Sequence, residues 1–137
     1  MKTIFVKSIG FVLLLLTALS FTSCDKIKRV ANNLEGDWKV KSFTIDGVEA
    51  MRVGVNNFTL EFDDYSDDEG DFEWRIIYVD GTSETLSGEY GIDDDGKELE
   101  LNANDKAYQM DMDLDGDELE LEGIVDGEKV IIKADKD

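Results

Sequence analysis

The chain has 137 residues, of which 33 are Asp or Glu and 14 are Lys or Arg, and its formal net charge at neutral pH is −19. A negative field of this size repels nucleic acid, because phosphate binding needs basic patches, so we expect no nucleic-acid partner. The sequence contains no His, no Pro and a single Cys. These counts exclude Ser-His-Asp and Cys-His catalysis, His-ligated zinc and a disulfide within the chain.

The chain begins with two basic residues, Lys2 and Lys7, and continues with an apolar run over residues 9–19. This run is too short to span a bilayer, which needs roughly 20 apolar residues, but its length is typical of a secretory signal. Removal of a signal peptide of residues 1–23 leaves 114 residues, which is enough for one domain with its own core.

The apolar run ends at Phe21-Thr-Ser-Cys24, which resembles the lipobox of bacterial lipoproteins. The resemblance implies that Cys24 receives diacylglyceryl and acyl groups such as palmitate and becomes the mature N-terminus. It therefore implies a membrane-anchored lipoprotein of the cell envelope, with its folded domain in the periplasm or at the cell surface. The outer membrane is favoured, with the inner membrane left open. The alternative is a free Cys24 after an ordinary signal.

Residues 24–33 are interpreted as a lipid-anchored tether, and three basic residues, Lys26, Lys28 and Arg29, follow the anchor closely. Basic side chains beside a lipid attachment suit an anionic membrane surface. Their alternative role is to keep the tether solvated.

Apolar and polar residues alternate from Gly36 onward, and turn signals recur at regular intervals. Asp-Gly, which is typical of two-residue type I′ hairpin turns, occurs at residues 46–47, 80–81, 95–96, 115–116 and 126–127. The pattern predicts about eight strands, near residues 37–45, 58–63, 71–79, 84–92, 97–102, 107–114, 117–124 and 128–134. The 46–57 segment could hold a short strand or one helical turn.

The turns fix which residues face one another across each hairpin. Two-residue turns at the last three Asp-Gly sites bring apolar residues together in the pairs Ile92–Leu99, Met112–Leu119 and Leu121–Ile132. At Asp80-Gly81 the same geometry would turn Trp74 outward. We therefore predict a three-residue loop there, Val79-Asp80-Gly81, with a bulge and a positive φ at Gly81.

Consecutive antiparallel strands that are apolar on one face close most economically into a barrel or a flattened barrel-like sandwich, because closure removes exposed sheet edges. The predicted inward side chains are Trp38, Val40, Phe58, Leu60, Phe62, Phe72, Trp74, Ile76, Tyr78, Leu86, Tyr90, Ile92, Leu99, Leu101, Tyr108, Met110, Met112, Leu119, Leu121, Val130 and Ile132. Gly88 and Ser42 are the inward positions expected to leave space.

Gly36-Asp-Trp38 resembles the Gly-x-Trp opening of the first strand in lipocalin-like domains, and residues 87–101 resemble a later hairpin of small bacterial lipocalin-like lipoproteins. The resemblance covers residues 34–134. It implies an all-β domain over residues 34–137 that forms an up-and-down, calycin-type barrel, with Trp38 closing one end and a small apolar molecule bound inside. The family's late-strand Arg that stacks on the Trp has no clear counterpart here, and register places Arg75 outward.

The candidate ligand-binding residues are large side chains of the predicted interior: Trp38, Phe58, Phe72, Trp74, Tyr78, Tyr90 and Met110. Such side chains suit an apolar or aromatic ligand, and the Tyr hydroxyls could supply polar groups at the mouth of a pocket. Plain core packing is the alternative for the two Trp residues.

Two acidic segments are weak candidates for cation binding. Asp111, Asp113, Asp115 and Glu122 match the spacing of an EF-hand calcium loop. That loop needs helical flanks and an aliphatic residue where Glu118 stands; in a hairpin, Asp113 would instead face Glu118 and Asp111 would face Glu120, which is destabilising. The cluster over residues 63–71 is interpreted as a solvated hairpin tip, with a hard-cation site as the alternative.

Together these observations favour a monomeric, lipid-anchored barrel that binds a small apolar ligand, needs no cofactor or resident metal and is not an enzyme. The alternative is a non-catalytic interaction or structural lipoprotein with a self-filled barrel and an acidic surface that attracts Ca²⁺ or a cationic partner. A third hypothesis, a carboxylate-based hydrolase, requires two acids that converge in a cleft with one pKa raised. An interior cavity of roughly 300 Å³ or more favours the ligand-binding barrel over the self-filled barrel.

Overall fold

The computed structural model describes residues 26–51 and 53–137, so the predicted signal peptide and Cys24 lie outside the described residues. A helix, α1, covers residues 26–34. The strands are β1 (Gly36–Ile45), β2 (Val48–Glu49), β3 (Val55–Phe62), β4 (Gly70–Tyr78), β5 (Ser83–Ile92), β6 (Glu98–Ala103), β7 (Lys106–Asp115), β8 (Glu118–Val125) and β9 (Glu128–Lys136). Within the described ranges, no helix is long and apolar enough to cross a membrane.

The strands form one antiparallel meander that closes on itself. Each strand from β3 to β8 pairs with the next, β1 pairs with β3, and β1 also pairs with β9 along most of its length. The two-residue strand β2 pairs only with the end of β1 and lies outside the wall. The barrel wall therefore has eight strands, which confirms the predicted fold class of a closed, lipocalin-like up-and-down barrel.

The interior of the barrel is formed by the apolar residues that alternate with polar residues along each strand. Every large side chain predicted to face inward is buried or packs against the buried core. Burial alternates along β6, where Leu99, Leu101 and Ala103 are buried and the residues between them are exposed. Successive side chains of a strand point to opposite faces, so one face of each strand supplies the core and the other carries the charge.

Two hairpin registers match the prediction from turn chemistry. Asp126 and Gly127 both have positive φ, 51° and 83°, as a type I′ turn requires, and Leu121 lies opposite Ile132. The predicted three-residue loop after β4 is also confirmed. Gly81 has φ of 89°, and the backbone N–H of Tyr78 donates to the carbonyl of Thr82 across it.

Two other turns differ from the prediction. The pair Ile92–Leu99 is confirmed, but four residues form the loop, because the Asp93 carboxylate accepts hydrogen bonds from the backbone N–H groups of Lys97 and Glu98 at 2.8 and 2.9 Å. In the β7–β8 hairpin the predicted register is wrong by two residues. Gly116 is the first central residue of the turn, with φ of 58°, so Met112 faces Leu121 and Leu119 faces Leu114.

A β-bulge in β1 changes which of its residues face the interior. The register with β9 shifts between Val40 and Ser42, so Phe43 takes the inward position and packs on the core. The prediction of an inward Ser42 is therefore wrong; its hydroxyl donates to the Glu49 carboxylate at 2.7 Å. Gly88 leaves no space either, since a Cβ there would lie 1.9 Å from the carbonyl oxygen of Asn102.

The segment interpreted as a tether is helical over residues 26–34 and packs against the barrel. Ala31 and Leu34 are buried, whereas Lys26, Lys28 and Arg29 are exposed. The carbonyl of Leu34 accepts a 2.8 Å hydrogen bond from Nε1 of Trp38. The helix therefore covers one end of the barrel, which an unstructured tether would have left open.

Candidate functional site

The end of the barrel beneath α1 is filled by side chains. Phe62 and Tyr90 pack edge to face with centroids 5.2 Å apart, and the Tyr90 hydroxyl donates to the carbonyl of Asp63 at 2.6 Å. Burial, followed by the nearby Glu35 charge, raises the pKa of Tyr90. Tyr65 stacks on Tyr90 from the loop outside. This end is therefore closed.

The opposite end contains a cavity of about 390 Å³. It is lined largely by apolar side chains, and the exposed residues Glu84, Thr85, Asn104 and Asp126 at its edge connect it to solvent. The apolar lining residues are Phe43, Phe58, Trp74, Ile76, Leu86, Tyr108, Val125, Val130 and Ile132. A cavity of this size and lining is typical of sites for small molecules.

A second cavity of about 520 Å³ adjoins the first beneath the segment that connects β1 to β3. The two cavities share six lining residues: Phe43, Ile76, Glu84, Val125, Asp126 and Val130. Val48 and Val53 line the second cavity although they are 62% and 75% exposed. The open end therefore has an apolar floor, and Val48 and Val53 make one part of its rim apolar.

Aromatic rings form one wall of the first cavity. Phe58 lies between Phe43 and Trp74, with ring centroids 5.0 and 6.1 Å away and edge-to-face geometry in both contacts. Phe72 supports Trp74 from the closed side at 5.9 Å. These edge-to-face contacts are favourable, so each ring of the wall is supported by its neighbour.

Trp74 brings an unsatisfied hydrogen-bond donor to this wall. Its side chain is 6% exposed, and its Nε1 is buried with no hydrogen-bond partner in the described part of the chain. Leaving a buried donor unpaired costs about 1–3 kcal/mol. The other Trp is satisfied, because Trp38 donates to the carbonyl of Leu34.

Polar groups at the mouth are mainly acidic. The Tyr78 hydroxyl donates to the Glu84 carboxylate at 2.9 Å, and burial together with this bond raises the pKa of Tyr78. Lys106 lies 3.4 Å from the carboxylate of Asp126. The rim of the cavity therefore carries two carboxylates whose positions are fixed by neighbouring side chains.

The structure brings three of the seven predicted ligand-binding residues to the open end. Phe58 and Trp74 line the first cavity and Tyr78 lines the second. The other four do not line either cavity; Trp38 and Tyr90 belong to the closed end, and Phe72 and Met110 pack in the core. The prediction that Tyr90 borders the entrance is therefore corrected, because strand direction places Tyr90 at the opposite end from Tyr78.

Three structural features were missed by the sequence analysis. At the closed end, Lys136 lies over the Trp38 ring, with its ammonium nitrogen 5.2 Å from the ring centroid. The β1 bulge that brings Phe43 to the cavity cannot be predicted from the alternation of apolar and polar residues. Glu84 occupies an inner-face position, which its spacing of two residues from Leu86 could have revealed.

The predicted cation-binding candidates lie on strands of a hairpin. Asp111 faces Glu122, Asp113 faces Glu120 and Asp115 faces Glu118 on β7 and β8, which corrects the register expected from the sequence. Lys129 pairs with Glu122 at 2.9 Å. Among the described residues, no group of three or more metal-ligating side chains converges.

The second acidic segment forms a small hairpin tip, as interpreted from the sequence. Ser66 pairs with Glu69, and Asp67 and Asp68 between them both have positive φ. A hydrogen bond and charge repulsion from Glu89 raise the pKa of Glu69. These two carboxylates converge on the outer surface and line neither cavity of the open end.

No protein-family model and no curated protein sequence matches the chain. Solved structures do match. A redesigned β-barrel aligns with a TM-score of 0.63 and 19% identity over 80% of this chain and 96% of its own. Another redesigned β-barrel, bound to DFHBI, has a TM-score of 0.58 and 20% identity over 79% and 99% of the two chains. A de novo designed fluorescence-activating β-barrel has a TM-score of 0.58 and 17% identity over 79% and 97%.

At such identities the likeness shows the fold alone. By its fold the chain is a closed antiparallel up-and-down β-barrel, and by its geometry it has one end filled beneath a helix and one end open over an apolar cavity.

Proposed function

We propose that this protein is a non-catalytic, monomeric binding protein that holds a small apolar molecule in the open end of its barrel. The observation that carries the proposal is the cavity of about 390 Å³ with its wall of Phe43, Phe58 and Trp74. Its volume exceeds the roughly 300 Å³ at which small-molecule sites begin. A barrel filled throughout by its own side chains, the alternative from the sequence, would have no such space.

The aromatic ring of Trp74 supports occupation of this cavity, because together with Phe58 it offers an apolar ligand a rigid contact surface. The structural neighbours give independent support at the level of the fold, because two of the matching redesigned barrels are bound to the small molecule DFHBI.

The binding of a small apolar molecule is tested with N-phenylnaphthylamine, a neutral dye that fluoresces on entering an apolar site. We expect saturable binding to the wild type and a loss of affinity of about tenfold or more in Leu86→Trp, because a larger ring at this lining position fills the first cavity. Ile124→Trp is the matched control, since Ile124 is 61% exposed and lines neither cavity. Equal binding by both variants would refute the site.

We further propose that the protein is a lipoprotein of the cell envelope, anchored through acyl groups on Cys24, with the outer membrane favoured. The sequence before α1 supports this proposal, and the fold is compatible with it. α1 covers the closed end of the barrel, and the open end lies on the opposite side of the barrel from α1.

Lipidation is tested by expressing the full chain in a bacterial host with an alkyne analogue of palmitate. We expect label and membrane association in the wild type, and loss of both in Cys24→Ser. Separation of the two membranes by density then assigns the anchor to one of them. A Cys24→Ser variant that still sediments with membranes would contradict anchoring at this residue.

A further inference from the structure

The inner face of the barrel wall becomes acidic at its open end. Glu84 of β5 lies directly opposite Ile76 of β4, and Leu86 lies opposite Trp74, so Glu84 shares the inner face with this apolar pair. Glu128 of β9 stands two residues before the buried Val130 and lines the second cavity. Both residues stand on the inner face of their strands, where the alternating pattern would otherwise place an apolar side chain.

These two carboxylates have no basic partner among the described residues. Asp126, the third acid at the mouth, is paired with Lys106, and Lys129 points to Glu122 on the outer face. Glu84 accepts a hydrogen bond from the neutral hydroxyl of Tyr78, which fixes the carboxylate without neutralising it. In the described ranges, no Lys or Arg lines either cavity.

Charge at such a mouth selects among ligands. Low-dielectric apolar walls focus the field of the carboxylates into the opening, which raises the local concentration of cations and lowers that of anions. A ligand cation that reaches Glu84 or Glu128 also gains a charge-assisted hydrogen bond. An anionic ligand of the same shape would instead place like charges together.

The two parts of the site therefore differ in character. Apolar side chains form the wall of the first cavity, and its mouth and the adjoining second cavity carry two carboxylates that have no basic partner in the described part of the chain.

We propose that the ligand is an amphipathic organic cation. Its apolar body, of aromatic size, would lie against Phe58 and Trp74. Its ammonium or similar group would lie at the mouth beside Glu84 and Glu128. This inference rests on the proposed binding function and adds the charge class of the ligand.

The test compares three methoxynaphthalene probes that differ only in the charge of one substituent: a methylammonium, a hydroxymethyl and a carboxylate group. Titration calorimetry at low ionic strength measures the affinity of the wild type for each probe. We expect the cationic probe to bind about 1.5-fold to fivefold more tightly than the neutral one, the range for an exposed ion pair, and the anionic probe to bind least. High salt should reduce these differences.

Variants then assign the effect to the two carboxylates. Glu84→Gln combined with Glu128→Gln keeps the side-chain shapes and should abolish the cationic advantage, measured as the ratio of cationic to neutral affinity within the same variant. Glu118→Gln is the matched control, because it removes one charge from the β7–β8 turn at the closed end. A cationic advantage that survives in the double variant, or a neutral probe that binds as tightly as the cationic one, would overturn the inference.

The same measurements distinguish a wrong charge class from a wrong binding function. If none of the three probes binds and the neutral dye does not bind either, the cavity is not a binding site and the inference falls with it. If the neutral probe binds and the cationic one has no advantage, the cavity binds apolar molecules and only the charge class is refuted.

Discussion

The ammonium nitrogen of Lys136 lies 5.2 Å from the centroid of the Trp38 ring, so the last residue of β9 covers the indole that closes the barrel. The same nitrogen donates to the carbonyl of Asn33 at 2.8 Å. Trp38 in turn donates to the carbonyl of Leu34. One cation–π contact and two hydrogen bonds therefore join the first strand, the last strand and α1 at the closed end.

The contact between Lys136 and Trp38 should stabilise the fold measurably. Lys136→Met keeps an unbranched side chain but removes the charge, and we expect a loss of about 0.5–1.5 kcal/mol in the free energy of unfolding by urea. Lys136→Arg should retain most of the stability. Lys133→Met is the control, since Lys133 is an exposed residue of the same strand that covers no ring. An equal loss in both Met variants would argue against the ring contact.

The helix should contribute to stability through a single large anchor. Leu34 is fully buried, so Leu34→Ala should lower the free energy of unfolding by about 2–5 kcal/mol, the usual cost of such a truncation. Asn32→Ala changes an exposed residue of α1 and should have an effect within about 0.5 kcal/mol. Urea unfolding of both variants measures the difference. If Leu34→Ala costs no more than Asn32→Ala, the helix does not close the barrel in solution.

Gly88 should tolerate no side chain, because its Cβ would lie 1.9 Å from a backbone oxygen of β6. Gly88→Ala must push two paired strands apart, and we expect a loss of at least about 2 kcal/mol or a failure to fold. Gly54→Ala is the matched control, since a Cβ at Gly54 would meet nothing within 4 Å. Thermal unfolding followed by circular dichroism compares the two. A wild-type melting temperature in Gly88→Ala would contradict this packing.

The stability of the protein should be greatest at mildly acidic pH. Glu89 raises the pKa of Glu69 above its ordinary value of 4.5. As pH falls from neutral, Glu69 therefore binds a proton at a higher pH in the folded state than in the unfolded state, which stabilises the fold. The charge of Asp63 raises the pKa of Glu61 in the same way. Hydrogen bonds from Thr82 lower the pKa of Asp80 below its ordinary value of 3.8, and their contribution is lost as pH falls through the lowered value.

We therefore expect the melting temperature to rise from about pH 7 to about pH 5 and to fall again near pH 3. Glu69→Gln should be more stable than the wild type at neutral pH and should show a smaller rise on acidification. Added salt should reduce the difference in melting temperature between neutral and mildly acidic pH, because it screens exposed like charges. A melting temperature that falls steadily from neutral pH would refute the assignment of these raised pKa values.

Turn chemistry predicted some registers and failed on one for a clear reason. In the β8–β9 hairpin both central residues have positive φ, which Asp126-Gly127 accommodates readily. In the β7–β8 hairpin, Gly116 can serve either as the second residue of one turn or as the first residue of another. The two registers differ by two residues, so Met112 and Leu119 face inward in both. Alternation cannot distinguish them, because its period is also two.

The candidate site was only partly predictable for a related reason. Alternation identified Phe58, Trp74 and Tyr78 as interior residues, but it gave no information on which end of the barrel stays open. That depends on what covers each end. Leu34 and Tyr65, which fill the closed end, come from segments without strand periodicity.

The sequence by itself determined the class of fold and the face on which each strand is apolar, because both follow from local periodicity and from turns closed within a few residues. The tertiary structure alone decided that α1 plugs one end, that the β1 bulge turns Phe43 inward, and that the opposite end stays open over a cavity. These features arise where β1 meets β9 and where distant segments pack on the barrel ends. Contacts between residues far apart in the chain set them, and no local pattern encodes such contacts.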